Sequence, residues 1–362
     1  MYNVIMNDTS WKFYTNTEEA WQAMLLAIHE AKNSIDLEQF IFSNDEIGSK
    51  FIELIKMKAD EGVKVRLLLD SAGSYGFYNS QIIEELKRAN IEVSFYNPIS
   101  PWRLHNITSW YWRNHRKLLI IDNEIAFTGG VGIEYVMKDW RDTEVRLTGQ
   151  VVFEMSYIFN RMWQITSEGR FKRFRLDRWQ ENEFRFWTNS PHFRQRFYYR
   201  RLIKAIKRAK KYVYLTTPYF IPNQHLLFVL SRAAMNKVDV RLITPEHSDH
   251  HFVDHARNSY YTLALKAGVK IYHYKNQVLH AKTVVIDDNW SSVGSANLDN
   301  LSLLFNYEAN LISTNQQFVG ELKEHFVNDL LNSEELTKSS WSNRSTWYKF
   351  MELLTWPFHG LM

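Results

Sequence analysis

His115 and Lys117 stand two residues apart at the head of an apolar run, "NHRKLLIIDNEIAFTGG" (114–130). His280 and Lys282 repeat that spacing at the head of "LHAKTVVIDDNWSSVGSANLDN" (279–300). An imidazole can attack as a nucleophile or carry a proton, and an ammonium can hold an anionic oxygen as charge develops. Asp122 and Gly129 follow the first pair; Asp287 and Gly294 follow the second, all four residues recurring 165 positions later. From average residue usage, one such match after a given histidine has a chance of very roughly one in several thousand. The two stretches are therefore expected to be halves of one composite site.

Strand geometry sorts the residues within each half. Side chains alternate faces with period two, so His115 and Lys117 share a face with Cα atoms roughly 7 Å apart, and so do His280 and Lys282. Asp122 and Asp287 belong to the same repeated set of candidate catalytic residues. Their odd spacing from the lysines turns them to the other face, where an architectural role at the strand turn is expected. Gly130 and Ser295, next to Gly129 and Gly294, are expected where backbone comes close to a bound group. Each imidazole also needs a carboxylate to fix its tautomer and orientation. Asp142 lies 27 residues after His115 and Glu308 lies 28 after His280, so these acids are the expected orienters of the two halves.

The elements that must position these residues repeat as well. Residues 34–42, 48–60 and 62–70 have the pattern strand, helix, strand, and so do 212–220, 224–236 and 237–244. Further strands are expected at 90–97 and 268–276. Alternation of this kind implies two tandem α/β layers, each a mostly parallel mixed sheet flanked by helices. The expected division is a first repeat over 1–165, a basic aromatic arm over 166–200, a second repeat over 201–330 and a tail over 331–362. With 362 residues the chain exceeds the usual size of one hydrophobic core, which agrees with that division.

Net charge is only +4, but it is unevenly placed. Between Arg170 and Lys211 there are fifteen Lys or Arg against three acids, with ten aromatics interleaved. Such a segment suits an anionic partner, a phospholipid surface or a nucleic-acid backbone, and equally a solvated arm. The absence of cysteine excludes disulfide and thiolate chemistry. The first residues lack the basic and apolar regions of a signal peptide. No stretch approaches the roughly 18 apolar residues of a membrane-spanning helix.

The repeated pattern HxKxxxxDxxxxxxG resembles the signature of the phospholipase D superfamily. The segments "NHRKLLIID", "GGVGIEY", "WRDT", "TTPYFIPNQHLL", "ITPEHSDHHFV", "AGVKIY", "LHAKTVVIDD" and "SSWSNRSTWYKFMELL" are more specifically similar to bacterial cardiolipin synthases. The resemblance covers essentially the whole chain and implies two phospholipase D-like α/β/α repeats with the active site at their interface. It departs from the family pattern at Gly132, where an asparagine is usual, and at Leu301, where an arginine is usual. The second half keeps its asparagine, Asn297, which the resemblance implies is a phosphate donor together with the backbone at Gly130 and Ser295.

The activity so implied is phosphatidyl transfer between phosphatidylglycerol molecules through a phosphohistidine, releasing glycerol, with no cofactor and no metal. By the resemblance His115 is the nucleophile and His280 the acid/base; the residues alone leave the two equivalent. The alternatives are a phospholipase D hydrolase using the same residues and a nuclease of the same superfamily. The expected partners are anionic phospholipid and a membrane surface rather than nucleic acid, with the protein cytoplasmic and peripheral on the inner face of the cell membrane. Residues 101–112 and the terminal aromatics Trp347, Phe350, Trp356 and Phe358 suit a bilayer interface, and packed core equally. The run "HSDHHFVDH" (247–255) has the composition of a metal site, but it falls where this subfamily carries a substrate loop.

Overall fold

A computed structural model describes residues 9–78, 80–99, 111–169 and 182–346. The first lobe comprises β1 (Trp11–Asn16), α1 (Thr17–Glu30), β2 (Ser34–Gln39), α2 (Glu46–Asp60), β3 (Lys64–Asp70), α3 (Tyr75–Tyr78) and α4 (Ile82–Arg88), followed by β4 (Glu92–Tyr96), β5 (Leu118–Ile121), β6 (Ile125–Gly129), β7 (Arg141–Thr148) and α5 (Gln150–Glu168). The second comprises β8 (Phe184–Asn189), α6 (Phe197–Arg208), β9 (Tyr212–Thr216), β10 (Phe220–Ile221), α7 (Gln224–Met235), β11 (Asp239–Pro245), α8 (His251–Ala267) and β12 (Lys270–Tyr274). It continues through β13 (Thr283–Ile286), β14 (Trp290–Gly294), β15 (Leu298–Asp299), β16 (Glu308–Ser313), α9 (Gln316–Leu331), β17 (Ser333–Glu335) and α10 (Lys338–Ser342). Side-chain caps start several helices: Asn16 on α1, Asp45 on α2, Asn223 on α7 and Asn315 on α9 each accept from a first-turn amide.

The two main sheets have matching strand orders, β1-β7-β6-β5-β2-β3-β4 and β8-β16-β14-β13-β9-β11-β12, the latter extended by β17. This bears out the two tandem mixed α/β layers. The expectation of mostly parallel sheets needs correction. Parallel pairing is confined to β2-β3-β4 and β9-β11-β12, where helices make the crossovers. Every other neighbouring pair in the two main sheets is antiparallel. The reason is local: β5–β6 and β13–β14 are joined by turns too short for a crossover, and such turns can only reverse the chain.

The basic stretch also differs from the expected arm. From Phe184 onward it is built into the second lobe, with β8 pairing β16 along its length and α6 covering the sheet. The alternation of Phe184, Phe186 and Thr188 puts a buried face inward, which the arginines between them had masked. Beyond residue 331 the chain first remains in this lobe. β17 adds to β12, and Trp341 of α10 is buried with its indole N–H donating to Thr262. Residues 170–181 and the terminal aromatics lie outside the described residues, as does most of 101–112.

Each lobe has its own core, and a third core joins them. Val152, Met155, Phe159 and Met162 of α5 meet Leu118 and Val145 from the first sheet, Val285 and Leu311 from the second, and Phe318 of α9. Burying each such side chain contributes about 1.5–3 kcal/mol, so this shared layer fixes the lobes against each other.

Candidate active site

Both histidines precede an interior strand that is buried on both faces, as "LLII" and "TVVI" require. Each strand then reverses through a turn with two positive-φ residues, Asp122 (55°) and Asn123 (56°), and Asp287 (51°) and Asp288 (58°). Aspartate and asparagine tolerate that left-handed region better than other residues with a Cβ. The Asp122 carboxylate accepts from the amides of Lys32, Asn33 and Ser34, and Asp287 from those of Lys210, Lys211 and Tyr212. Each aspartate thus anchors the chain entering the neighbouring strand, at the end of the hairpin away from the histidines. Their place in the candidate catalytic set is corrected to an architectural one, as strand parity required.

Each histidine reaches across the lobe boundary. His115 N–H donates to the Tyr307 carbonyl at 3.0 Å, and His280 N–H to the Arg141 carbonyl at 2.8 Å. Each bridge leaves the histidine beside the next residue of the other lobe. His115 Nδ1 lies 3.0 and 3.1 Å from the two oxygens of Glu308, and His280 Nδ1 lies 2.6 Å from Asp142 Oδ2. The orienters are the two carboxylates expected, but their assignment is crossed: each acid serves the histidine of the opposite lobe. A short strand end can approach the adjoining sheet more closely than its own β7 or β16 neighbour two strands away.

With Nδ1 facing a carboxylate, the proton sits there and Nε2 presents its lone pair. Lys117 Nζ lies 3.2 Å from His115 Nε2, and Lys282 Nζ donates to the His280 carbonyl. The histidine side chains are only 12 and 8% exposed. Phe40 meets the His115 ring edge-on at 4.8 Å and Trp140 tilts against His280 at 5.2 Å, limiting water. Burial lowers the His115 pKa, with Lys117 adding to the effect and Glu308 opposing it. Burial and the nearby Lys282 lower His280 to about 4. Burial also lowers both lysines, Lys282 to about 7, helped by the charge of Lys117. The resting site therefore favours neutral imidazoles and weakens the hold of both lysines on their protons, and an arriving anion would restore the charged form of the lysines.

Gly130 and Ser295 serve the carboxylates, which corrects their expected phosphate contact. A Cβ at Gly130 would fall 2.1 Å from Asp142 Oδ1, and its N–H is spent on the Thr143 carbonyl. Ser295 Oγ donates to Glu308, while its N–H donates to the Ala309 carbonyl. Asn297 is buried: its side chain hydrogen-bonds Asp299, and its Oδ1, an acceptor, has no hydrogen-bond partner among the described residues. At the corresponding place Gly132 has only its carbonyl, which accepts from the Trp21 indole at 2.8 Å.

Several supporting residues escaped the sequence reading. Asp70, wholly buried at the end of β3, accepts from Arg113 Nη2 at 2.8 Å and the Asn114 amide at 2.8 Å, fixing the approach to His115. Arg141 of β7 pairs with Asp329 of α9 at 2.7 and 2.8 Å, a buried ion pair between lobes. Glu144, beside Asp142, is pushed well above the ordinary carboxylate range by burial and by that neighbouring charge. An acid at the end of an otherwise apolar strand was the signal available for Asp70. The acids of 247–255 that are described have protein partners: Asp249 accepts from Tyr219 Oη, and Asp254 from the Ser248 amide. Among the described residues no group of three or more His, Asp or Glu is gathered to hold a metal.

Comparison with known proteins agrees on one family. A family model described as cardiolipin synthase, PLD-like domain, matches residues 24–163 and 202–330. The chain is 33% identical over 365 residues to cardiolipin synthase 1 of Bacillus cereus, covering 95% of this chain and 71% of that one. It is 33% identical over 364 residues to a cardiolipin synthase of Halalkalibacterium halodurans, covering 97% and 72%. Among solved structures, phosphatidylserine synthase of Haemophilus influenzae superposes with a TM-score of 0.73 at 13% identity, covering 97% of this chain and 93% of that one. Polyphosphate kinase of Porphyromonas gingivalis gives 0.64 at 11% identity, covering 99% and 54%. At those identities the two structures speak for the fold.

Proposed function

Because the chain belongs to the cardiolipin synthase family of phospholipase D-like proteins, we propose that it joins two phosphatidylglycerol molecules into cardiolipin and glycerol at the site between its lobes. It is a phosphatidyltransferase of the phospholipase D superfamily. The observation that carries the finer reading is the pair of imidazoles with Nδ1 held by carboxylates and two lysines beside them.

The chemistry follows in two displacements. His115 Nε2 attacks phosphorus of the first lipid; a P–N bond forms as the P–O bond to glycerol breaks. His280, protonated once the phosphodiester anion has entered, gives its proton to the departing glycerol oxygen. His280 then takes the proton from a hydroxyl of the second phosphatidylglycerol as that oxygen attacks phosphorus. The P–N bond breaks and His115 is restored. Lys117 and Lys282 hold the non-bridging oxygens in both steps, with the Asn297 amide a further donor. Glu308 and Asp142 keep each ring in the tautomer its step needs.

No helix among the described residues is long and apolar enough to cross a membrane. We infer that the protein, as an enzyme working on phosphatidylglycerol, is peripheral and meets the inner face of the cell membrane from the aqueous side. Vesicles of phosphatidylglycerol supplied to the enzyme should yield cardiolipin and glycerol. Phosphatidic acid and glycerol as the main products would make it a hydrolase. Cleavage of single-stranded DNA at a comparable rate, dependent on both histidines, would overturn the lipid reading.

A further inference from the structure

The second lobe carries a cavity of about 590 Å³ at the end of β13 remote from His280, between α6, the edge strand β8 and the β13–β14 turn. Asp287 at its wall lies seven residues beyond His280, roughly 20 Å along an extended strand, so no small ligand spans both places. Five cations line the cavity, Arg185, Arg201, Lys204, Arg208 and Lys210, with Trp187 and Trp290 as apolar walls. The guanidiniums of Arg201 and Arg185 lie 4.5 and 5.0 Å from the Trp187 ring centroid.

Arg185 is paired with Glu154 at 2.9 Å. Arg201, Lys204, Arg208 and Lys210 make no ion pair among the described residues, and the Asp287 carboxylate is committed to three backbone amides. Like charges three or four apart on a helix destabilise it by about 0.2–0.5 kcal/mol per pair. Helix α6, "FYYRRLIKAIKR", carries five cations and no acid, so that repulsion has no internal offset. The equivalent helix of the first lobe, α1, has Glu18, Glu19 and Glu30 and neither lysine nor arginine. The fold itself therefore does not require the cations. The volume falls within the range of small-ligand sites.

We propose that this groove is a second anion site, separate from the catalytic one, that takes a phosphate group: the headgroup of an anionic phospholipid or free phosphate. Arginine forks and lysine ammoniums would share the phosphate oxygens, and the indoles would shield them from water. The proposal does not depend on the reaction assigned to the histidines.

The full chain is titrated with inorganic phosphate by calorimetry. Separately it is sedimented with phosphatidylcholine vesicles with and without phosphatidylglycerol. The charge-reversed R201E/K204E protein is expected to lose at least about tenfold in affinity for one probe, equivalent to 1.4 kcal/mol. Turnover of detergent-dispersed substrate should stay within about twofold. Loss of phosphate binding identifies free phosphate; loss of vesicle binding alone identifies a lipid headgroup. R201Q/K204Q repeats the test with charge removed rather than reversed. In both variants, binding of phosphate and vesicles equal to wild type overturns the site. So does disappearance of all such binding in K117A/K282A, which would place the anion at the catalytic centre.

Discussion

The two histidine motifs have the same backbone and different surroundings. Both strands leave a histidine at the lobe boundary, turn through two left-handed residues and spend an aspartate on three amides. Around that frame Glu308 receives a hydroxyl from Ser295, whereas Asp142 fits against the bare Cα of Gly130. Glu144 packs over Gly129, where the second half has Asn310 over Gly294. Burial and the neighbouring Asp142 push the Glu144 carboxyl well above its usual range, which favours the neutral form and brings it nearer to the Asn310 amide in polarity. Repetition thus preserves what the backbone must do and lets side chains change where a similar polarity can be reached by other means.

The largest effect should come from removing either imidazole. His115→Ala and His280→Ala, each shown to fold, should lose at least about 10³-fold in turnover, because each performs a step the other cannot. Full turnover by either would sink the two-histidine scheme. Trapping labelled phospholipid separates their roles: a covalent adduct should be absent from His115→Ala and still form slowly in His280→Ala. The reverse pattern would exchange nucleophile and acid/base.

Next come the crossed orienters. Glu308→Gln and Asp142→Asn should each cost about 10²-fold or more in kcat, since a wrong ring tautomer withdraws the working Nε2. If the crossing matters, adduct formation slows in Glu308→Gln through His115. An adduct rate slowed only by Asp142→Asn would break the comparison.

The pH dependence is smaller and differs between activity and stability. Lys282, lowered to about 7, loses its charge as pH rises through neutrality, so kcat/KM should fall on the alkaline side. Lys282→Arg should move that limb upward, and an unmoved limb would assign it elsewhere. His280 behaves oppositely in stability. Its folded pKa of about 4 lies below the ordinary 6.5, so the unfolded chain binds the proton first as pH falls. Stability on the order of 3 kcal/mol should be present above pH 6.5 and lost between 6.5 and about 4. Denaturant titrations at several pH values should show that loss, and His280→Gln should flatten it.

Gly132→Asn should have the smallest effect. It installs in the first half the residue that Asn297 supplies in the second. A Cβ there meets Met137 Sδ at 3.0 Å, a flexible side chain that can yield. A cost of about 1 kcal/mol in stability and a change in turnover of no more than a few fold are expected. Loss of folding would show that the position is closed to the asparagine by packing.

Much of this protein was legible in its residues. The paired histidines and lysines, the doubled α/β layers and the two orienting acids follow from period-two alternation and a repeat of fixed offset. Parity alone moved Asp122 and Asp287 to the architectural face, because which side of a strand a residue faces is local geometry. The strand directions beyond β2-β3-β4 and β9-β11-β12 were not legible, since hydrophobic runs do not record which neighbour they pair with. Nor was the edge strand β8, whose arginines hide an alternating buried face. Asp70, Arg141 and Asp329 were missed because a buried ion pair joins residues whose separation in sequence carries no period.

The sequence by itself determined which side chains are candidates for the chemistry and on which face of a strand they stand. Only the tertiary structure decided which acid holds which imidazole. Glu308 reaches His115 and Asp142 reaches His280 because main-chain bridges through Tyr307 and Arg141 bring strand ends of the two sheets together. Those bridges join residues 192 and 139 positions apart in the chain, a distance over which no spacing rule operates. The physical cause is packing of two lobes on one shared core, and it makes the site a property of the pair rather than of either repeat.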